Sequence, residues 1–159
     1  MYATMFFWEG FAMVINRILL ICFITWVTAQ VVKGIIHYIL TKQFSWERLF
    51  GDGGMPSCHT ATVAALATAT GLTCGMDSPE FAISVIFALI VMHDAVGVRQ
   101  ETGKQAKVLN DLVDSINTMT HKDLTPEENL KEFVGHTGRQ VFVGLLLGVV
   151  EAFLLNMIL

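Results

Sequence analysis

Four stretches of this 159-residue chain approach the length of a bilayer-spanning helix while nearly excluding charge: 11–32, 60–76, 81–98 and 141–159. A spanning helix needs about 20 mostly apolar residues, because backbone polar groups in hydrocarbon must be satisfied within the segment itself. The first run carries one full charge, Arg17, near enough to its end to snorkel toward headgroups. The second is rich in Ala, Thr and Gly, which suits close helix packing better than contact with lipid on all sides. The third stays apolar until His93 and Asp94, and the fourth is interrupted only by Glu151 and Asn156. Composition agrees, with 53% apolar residues against a soluble average of roughly 45–50%. The expected fold is therefore all-α: one integral membrane domain over residues 1–159, a polytopic transmembrane bundle of about four spans, with a polar loop at 99–139 carrying an amphipathic helix. A soluble bundle with buried helices, or a second run that is re-entrant instead of spanning, are the alternatives.

Local signals support these boundaries. Ser78-Pro79-Glu80 places an N-cap, a proline at the first helical position and an acid beside the helix dipole. Thr125-Pro126-Glu127-Glu128 repeats the logic as a capping box. Between them Leu109, Leu112, Ile116 and Met119 recur at helical spacing, giving an amphipathic segment that packs on the bundle or on the membrane interface. The start of the chain has neither a basic leader nor a small-residue cleavage site, so the first run reads as a retained span. Cys22, Cys58 and Cys74 form an odd set without CxxC spacing, and no disulfide framework follows.

Four alternating spans bring the loops 33–59 and 99–139 to one side, which gathers nine of the ten Lys and Arg residues there. The positive-inside rule makes that side cytoplasmic, in a plasma membrane of bacterial type. The net charge of −4 argues against nucleic acid, which needs a basic excess.

The same topology converges groups that are distant in sequence. His59 opens the second run, His93 and Asp94 close the third, and His136 precedes the fourth. Ionisable residues at membrane depth are costly and are functional candidates for that reason. The segment 51–59, Gly-Asp-Gly-Gly-Met-Pro-Ser-Cys-His, couples a glycine-rich turn to a helix start. Glycines let backbone N–H groups approach a ligand, and a helix N-terminus supplies free donors and a positive dipole end, so the segment suits an anion such as phosphate. Gly54 and Ser57 are its candidate ligands, although Ser57 could equally cap the helix.

Met55-Pro56-Ser57-Cys58-His59, Asp94-Ala95-Val96-Gly97-Val98-Arg99 and Gly135-His136-Thr137-Gly138-Arg139-Gln140-Val141 resemble, in order, motifs of the divergent branch of the type 2 phosphatidic acid phosphatase and vanadium haloperoxidase superfamily. The resemblance runs from about residue 33 to 148. It implies a phosphatase in which His136 attacks phosphorus to form a phosphohistidine and His59 protonates the leaving oxygen, with no metal or other cofactor. Two histidines in opposite protonation roles can be arranged by a neighbouring carboxylate and a phosphate. Basic side chains and backbone amides would hold the equatorial oxygens, and vanadate would inhibit by mimicking the five-coordinate transition state.

Three departures from the motif pattern shape the expectation. Gln140 stands where the family places an orienting carboxylate four residues after the nucleophile, and Asp94 is the candidate replacement. Leu130 stands where the family has an arginine six residues before that histidine, and Arg99 is the candidate substitute, because its fork binds phosphate bidentately. Lys33 and Lys42 occupy roughly the basic positions of the first motif without its Arg-Pro ending, as phosphate ligands or as membrane-edge anchors. His37 and His121 fit the interface or solvent better than the site, and Arg139 fits phosphate and headgroups equally.

The leading functional expectation is a membrane lipid phosphatase acting on a phosphate monoester or diphosphate, the lipid headgroup at a cytoplasmic site. The competing expectation is a non-catalytic lipid-phosphate binder or scaffold, which Gln140 permits. A metal site built from His59, His93, Asp94 and His136 is a third, since these ligand types suit zinc. Small residues in the second run serve packing within the chain or assembly into a homo-oligomer.

Overall fold

In a computed structural model the described residues are 16–42, 54–120, 130 and 135–159, the Arg99 side chain excepted. The capping box at 125–128, His121 and the glycines at 51–53 lie outside them. Every element among the described residues is helical: α1 (Arg17–Thr41), α2 (Cys58–Cys74), α3 (Pro79–Val96), α4 (Val98–Thr120) and α5 (Gly138–Ile158).

Side-chain caps fix where these helices begin. The Asn16 carboxamide accepts from the N–H groups of Ile18 and Leu19 at 2.9 and 3.2 Å, opening α1. Ser57 and Ser78 cap α2 and α3 in the same way, accepting from Thr60 N–H and Phe81 N–H, and Pro79 follows Ser78 in the first turn. These are donors that a helix cannot satisfy internally.

α2 lies between α1, α3 and α5 and touches all three. Its buried positions are Cys58, Thr60, Ala61, Val63, Ala64, Ala65, Ala69 and Thr70, small residues that let neighbouring backbones approach. The closest approach is to α5: a Cβ built on Gly144 would stand 2.6 Å from the Ser57 carbonyl oxygen, and one on Gly148 would collide with the Ala61 carbonyl. Opposite this seam, α1 contributes Ile21, which packs with Ala65, Ala69 and Ala152, and Ala29, which packs with Cys58 and Ala61. Outward faces are apolar, with Leu19, Phe23, Ile83, Ile90, Phe142 and Leu154 among the exposed side chains, as expected where lipid is the solvent.

The helices run alternately between two ends. At one end Arg17 donates to the Asn156 carbonyl, which joins the start of α1 to the end of α5. Within the bundle Thr28 Oγ1 donates to Glu151 Oε1 at 2.7 Å, so the carboxyl group interrupting the fourth run has a hydrogen-bond donor inside the protein. Among the described residues three helical stretches are long and apolar enough to cross a membrane by length and composition: α1, α5, and the stretch Pro79–Thr120 that includes α3. α2, with 17 residues, or about 26 Å of helix, stands at the lower end of the range of spanning helices, about 17–25 residues.

The first apolar run is also corrected. The helix does not end near residue 32 but continues to Thr41, so Lys33 and His37 belong to its last turns and not to a loop. The chain stays largely apolar beyond Lys33, with Ile35, Ile36, Tyr38, Ile39 and Leu40 before the helix stops. Lys33 itself is buried at 4% exposure, with its stem against Gly54.

Candidate active site at the meeting of four helix ends

The end of the bundle opposite Arg17 is built by the last turns of α1, the turn leading into α2, the end of α3 and the start of α5. Two backbone hydrogen bonds tie these segments together. Ser57 N–H donates to the Gln140 carbonyl at 3.1 Å, fastening the start of α2 to that of α5. His136 N–H donates to the Ala95 carbonyl at 3.0 Å, fastening the residue before α5 to the last turn of α3. Carbonyls in a helix's last turn lack partners within the helix, so Ala95 is a natural acceptor. The three sequence motifs are thus brought to one place.

His136 is buried at 4% exposure, with Nδ1 inside the protein. Asp94 adjoins Ala95 in the chain and is half-buried, so the backbone bond from His136 brings histidine and carboxylate into one neighbourhood. His59 is the second residue of α2, directly beside the Ser57 junction; it is exposed, and its Nδ1 stands 3.8 Å from Cys58 Sγ. Both histidines therefore belong to the same end of the bundle.

At this end opens a cavity of about 330 Å³, which Thr137, the residue after His136, helps to line, while His136, His59 and Asp94 are not among its lining residues. Its polar wall is made by Lys33, His37, Thr137, Arg139 and Gln140, and its apolar wall by Ile36, Leu40 and Met55, with Gly54 at the turn. Gly54 has φ +88°, a left-handed conformation that glycine adopts without steric cost, and a Cβ there would stand 3.2 Å from the Lys33 stem. The start of α5 adds its positive dipole end to the same wall.

The site residues expected from sequence separate here. Lys33, Gly54 and Gln140 line the cavity. Lys42 does not: it follows α1 in a left-handed conformation, exposed, its N–H bonded to the Tyr38 carbonyl. Ser57 is fully buried, and its hydroxyl accepts from Thr60 N–H and Thr60 Oγ1 at 3.3 and 3.0 Å. Of its two expected roles the cap is the one observed, since its oxygen is turned into α2. Gln140 Oε1 accepts from Thr137 N–H at 2.9 Å, so this side chain helps to fix the helix start that follows His136. The Arg99 side chain lies outside the described residues, and its backbone stands just past Gly97 at the start of α4.

Two lining residues were underrated from sequence. His37 was expected at the interface or in solvent, yet it shares the cavity with Lys33, and the signal was their spacing of four, which puts them on one helix face. Arg139 also lines the cavity. Among the described residues no three His, Cys, Asp or Glu side chains group as metal ligands, so the metal cluster of His59, His93, Asp94 and His136 is not formed.

Comparison with known proteins decides the lineage. The model of the divergent PAP2 family matches residues 14–151. The chain belongs to that family. The match takes in α1, α2, α3, α4 and the greater part of α5, and with them all three motifs. A relative within reach of full length is the uncharacterized membrane protein YuiD of Bacillus subtilis (strain 168), 41% identical over 129 residues, covering 76% of this chain and 82% of that protein. No solved structure matches the chain. Family membership and an apolar helical bundle together make this an integral membrane protein of PAP2-like descent.

Proposed function

We propose that this divergent PAP2 protein is a membrane lipid phosphatase that works through a phosphohistidine. The observation that carries the reading is the junction itself: a buried histidine, held through its backbone to Ala95, adjoining a cavity whose polar wall holds Lys33 and Arg139. In this reading a His136 nitrogen attacks phosphorus as the bond to the leaving oxygen breaks, and His59 delivers a proton to that oxygen. Water then attacks the phosphohistidine, giving its proton to His59 and releasing inorganic phosphate. Lys33, Arg139 and the α5 N-terminus stabilise the equatorial oxygens, where preorganised donors act most strongly in a water-poor site.

The apolar wall of Ile36, Leu40 and Met55 supports a substrate whose chain enters from the bilayer, since Leu40 is largely exposed on the outward face of α1. The basic end carries Lys33, Lys42 and Arg139, whereas Arg17 marks the other. That asymmetry supports a cytoplasmic site. The decisive experiment is release of phosphate from a panel of lipid phosphates in detergent, with and without vanadate, by wild type, His136→Ala and His59→Ala. Wild-type turnover that vanadate blocks and either substitution removes is the expected result; full activity in a folded His136→Ala protein would overturn the reading.

One observation favours a second reading. The Gln140 amide and the Ser57 hydroxyl are both engaged within the protein's own helix starts, and no carboxylate stands at the position four residues after His136. A lipid-phosphate binder without turnover has no need of that carboxylate. Saturable phospholipid binding without any trapped phosphohistidine would select this alternative.

A further inference from the structure

Away from the cavity, buried polar atoms without a hydrogen-bond partner gather on α1 and α5, which touch each other within the bundle: Thr25 Oγ1, Gln30 Oε1, Glu151 Oε2 and Asn156 Oδ1. Glu151 is the ionisable one. Thr28 Oγ1 donates to its Oε1 at 2.7 Å, whereas its Oε2 has no partner. Thr25 lies one turn of α1 before Thr28 and is 0% exposed. One turn earlier still, Ile21 packs against Ala152, the chain neighbour of Glu151. Positions 21, 25 and 28 share a helix face, so the Thr25 hydroxyl is bracketed by contacts to the turn of α5 that carries the carboxyl. Thr62 and Thr68 donate to the carbonyls four residues before them at 2.8 Å, the usual resort of a buried helical hydroxyl. Thr25 Oγ1 is not turned back in this way.

We propose that Glu151, Thr25 and Thr28 form a site within the membrane for one small monovalent cation such as sodium. Either charge state of the carboxyl alone leaves a group unmatched. Ionised, it is a charge among apolar helices with no ion-pair partner among the described residues, which is costly. Neutral, it carries its proton on Oε2, because Oε1 accepts from Thr28, and Oε2 has no acceptor within reach. Arg17, the basic residue in the first half of α1, is engaged with the Asn156 carbonyl at the far end and supplies no counter-charge here. A cation held by Oε2, by Thr25 Oγ1 and by the lone pairs that Thr28 keeps while donating matches all three groups at once. These ligands are hard oxygens, the kind that suits alkali and alkaline-earth ions. One carboxylate balances one positive charge, and a divalent ion would leave net charge in hydrocarbon. The bound ion joins α1 to α5 at a depth where no other polar contact between them is made by Thr25.

The test is thermal unfolding of the full chain in detergent, with sodium chloride replaced stepwise by N-methylglucamine chloride at constant ionic strength and pH. Sodium should raise the unfolding temperature of wild type saturably, by at least about 3 °C, because an ion that binds only the folded state stabilises it by mass action. Glu151→Gln keeps the shape of the side chain and an acceptor for Thr28, and should lose the sodium response. Thr25→Val, of nearly equal volume, should raise the half-saturating sodium concentration about tenfold, which tests the site even where the first variant fails to fold. Thr62→Val removes a hydroxyl bonded within its own helix and should leave the response as in wild type. Equal unfolding temperatures of wild type in sodium and N-methylglucamine, an undiminished response in Glu151→Gln, or stabilisation by calcium chloride and not by sodium would each overturn the proposal. The readout is folding and not turnover, so it is independent of the phosphatase reading.

Discussion

The N–H of His136 and the carbonyl of Ala95 meet at 3.0 Å, joining the approach to the last helix with the end of the third. The contact places the candidate nucleophile by main chain, so its position depends on how α3 ends. Gly97, two residues after Ala95, has ψ −90°, well away from a helix, and a Cβ there would stand 3.0 Å from the His93 carbonyl. Gly97→Val should therefore shift this junction. We expect turnover, or vanadate affinity if turnover is absent, to fall about tenfold, the scale at which small misplacements of reacting groups are felt. An unchanged value in the folded variant would show that α3 does not set the histidine.

Replacing Lys33 by Met separates binding from stability. The ammonium is buried, and a hydrogen bond to a charged group contributes about 1.5–3 kcal/mol, so phosphate or vanadate affinity should drop by roughly 10- to 100-fold. Folding should be little affected or improved, because a well-packed apolar stem often replaces a buried charge without loss. A large fall in the unfolding temperature with affinity intact would refute the assignment.

Ser57→Ala should behave in the opposite manner. Losing the oxygen that accepts from Thr60 removes a helix cap worth about 0.5–2 kcal/mol, while phosphate affinity stays within about twofold of wild type. Parallel thermal unfolding and titration decide it, and an affinity loss exceeding tenfold would return Ser57 to the ligand set.

For Gln140, the informative pair is Ala and Glu. Gln140→Ala deletes the bond to Thr137 N–H and should cost about 0.5–1.5 kcal/mol. Gln140→Glu preserves an acceptor there, adds negative charge at a helix N-terminus, and should retain stability. Phosphate release above wild type in the Glu variant would identify the missing carboxylate as the limit on turnover; release no greater than in Gln140→Ala would remove that idea.

Gly148→Val tests the seam between α2 and α5. The added side chain would meet the Ala61 carbonyl and the Ala64 side chain, an overpacking that costs about 1–3 kcal/mol. The expected readout is a lower unfolding temperature in detergent, and a rise would contradict the packing described.

Much of the bundle could be read from sequence, because α2, α3 and α5 coincide with apolar runs that caps delimit to within a few residues. The end of the first helix could not, since Lys33 reads as the close of the apolar run, whereas Ile35, Ile36, Tyr38, Ile39 and Leu40 carry the helix on and the lysine is hidden against a glycine distant in sequence. The same contact explains the site. Motif order indicates which segments meet, and of the residues named with those motifs Lys33, Gly54 and Gln140 line the cavity. Whether a hydroxyl turns outward to a ligand or inward to its own helix depends on neighbours that spacing does not show, as with Ser57. His37 is harder to single out, because a lone histidine near an interface has many uses, and its spacing of four from Lys33 gains meaning only once both are seen to line the cavity.

The bare glycine faces of the last helix have a mechanical meaning. With no side chain interposed between Gly144 and Gly148 and the main chain of Ser57 and Ala61, the two helices lie backbone to backbone over a helical turn. The spacing between the residues that open them, His59 on one and Gln140 on the other, is therefore set by main chain and not by side chains that could repack.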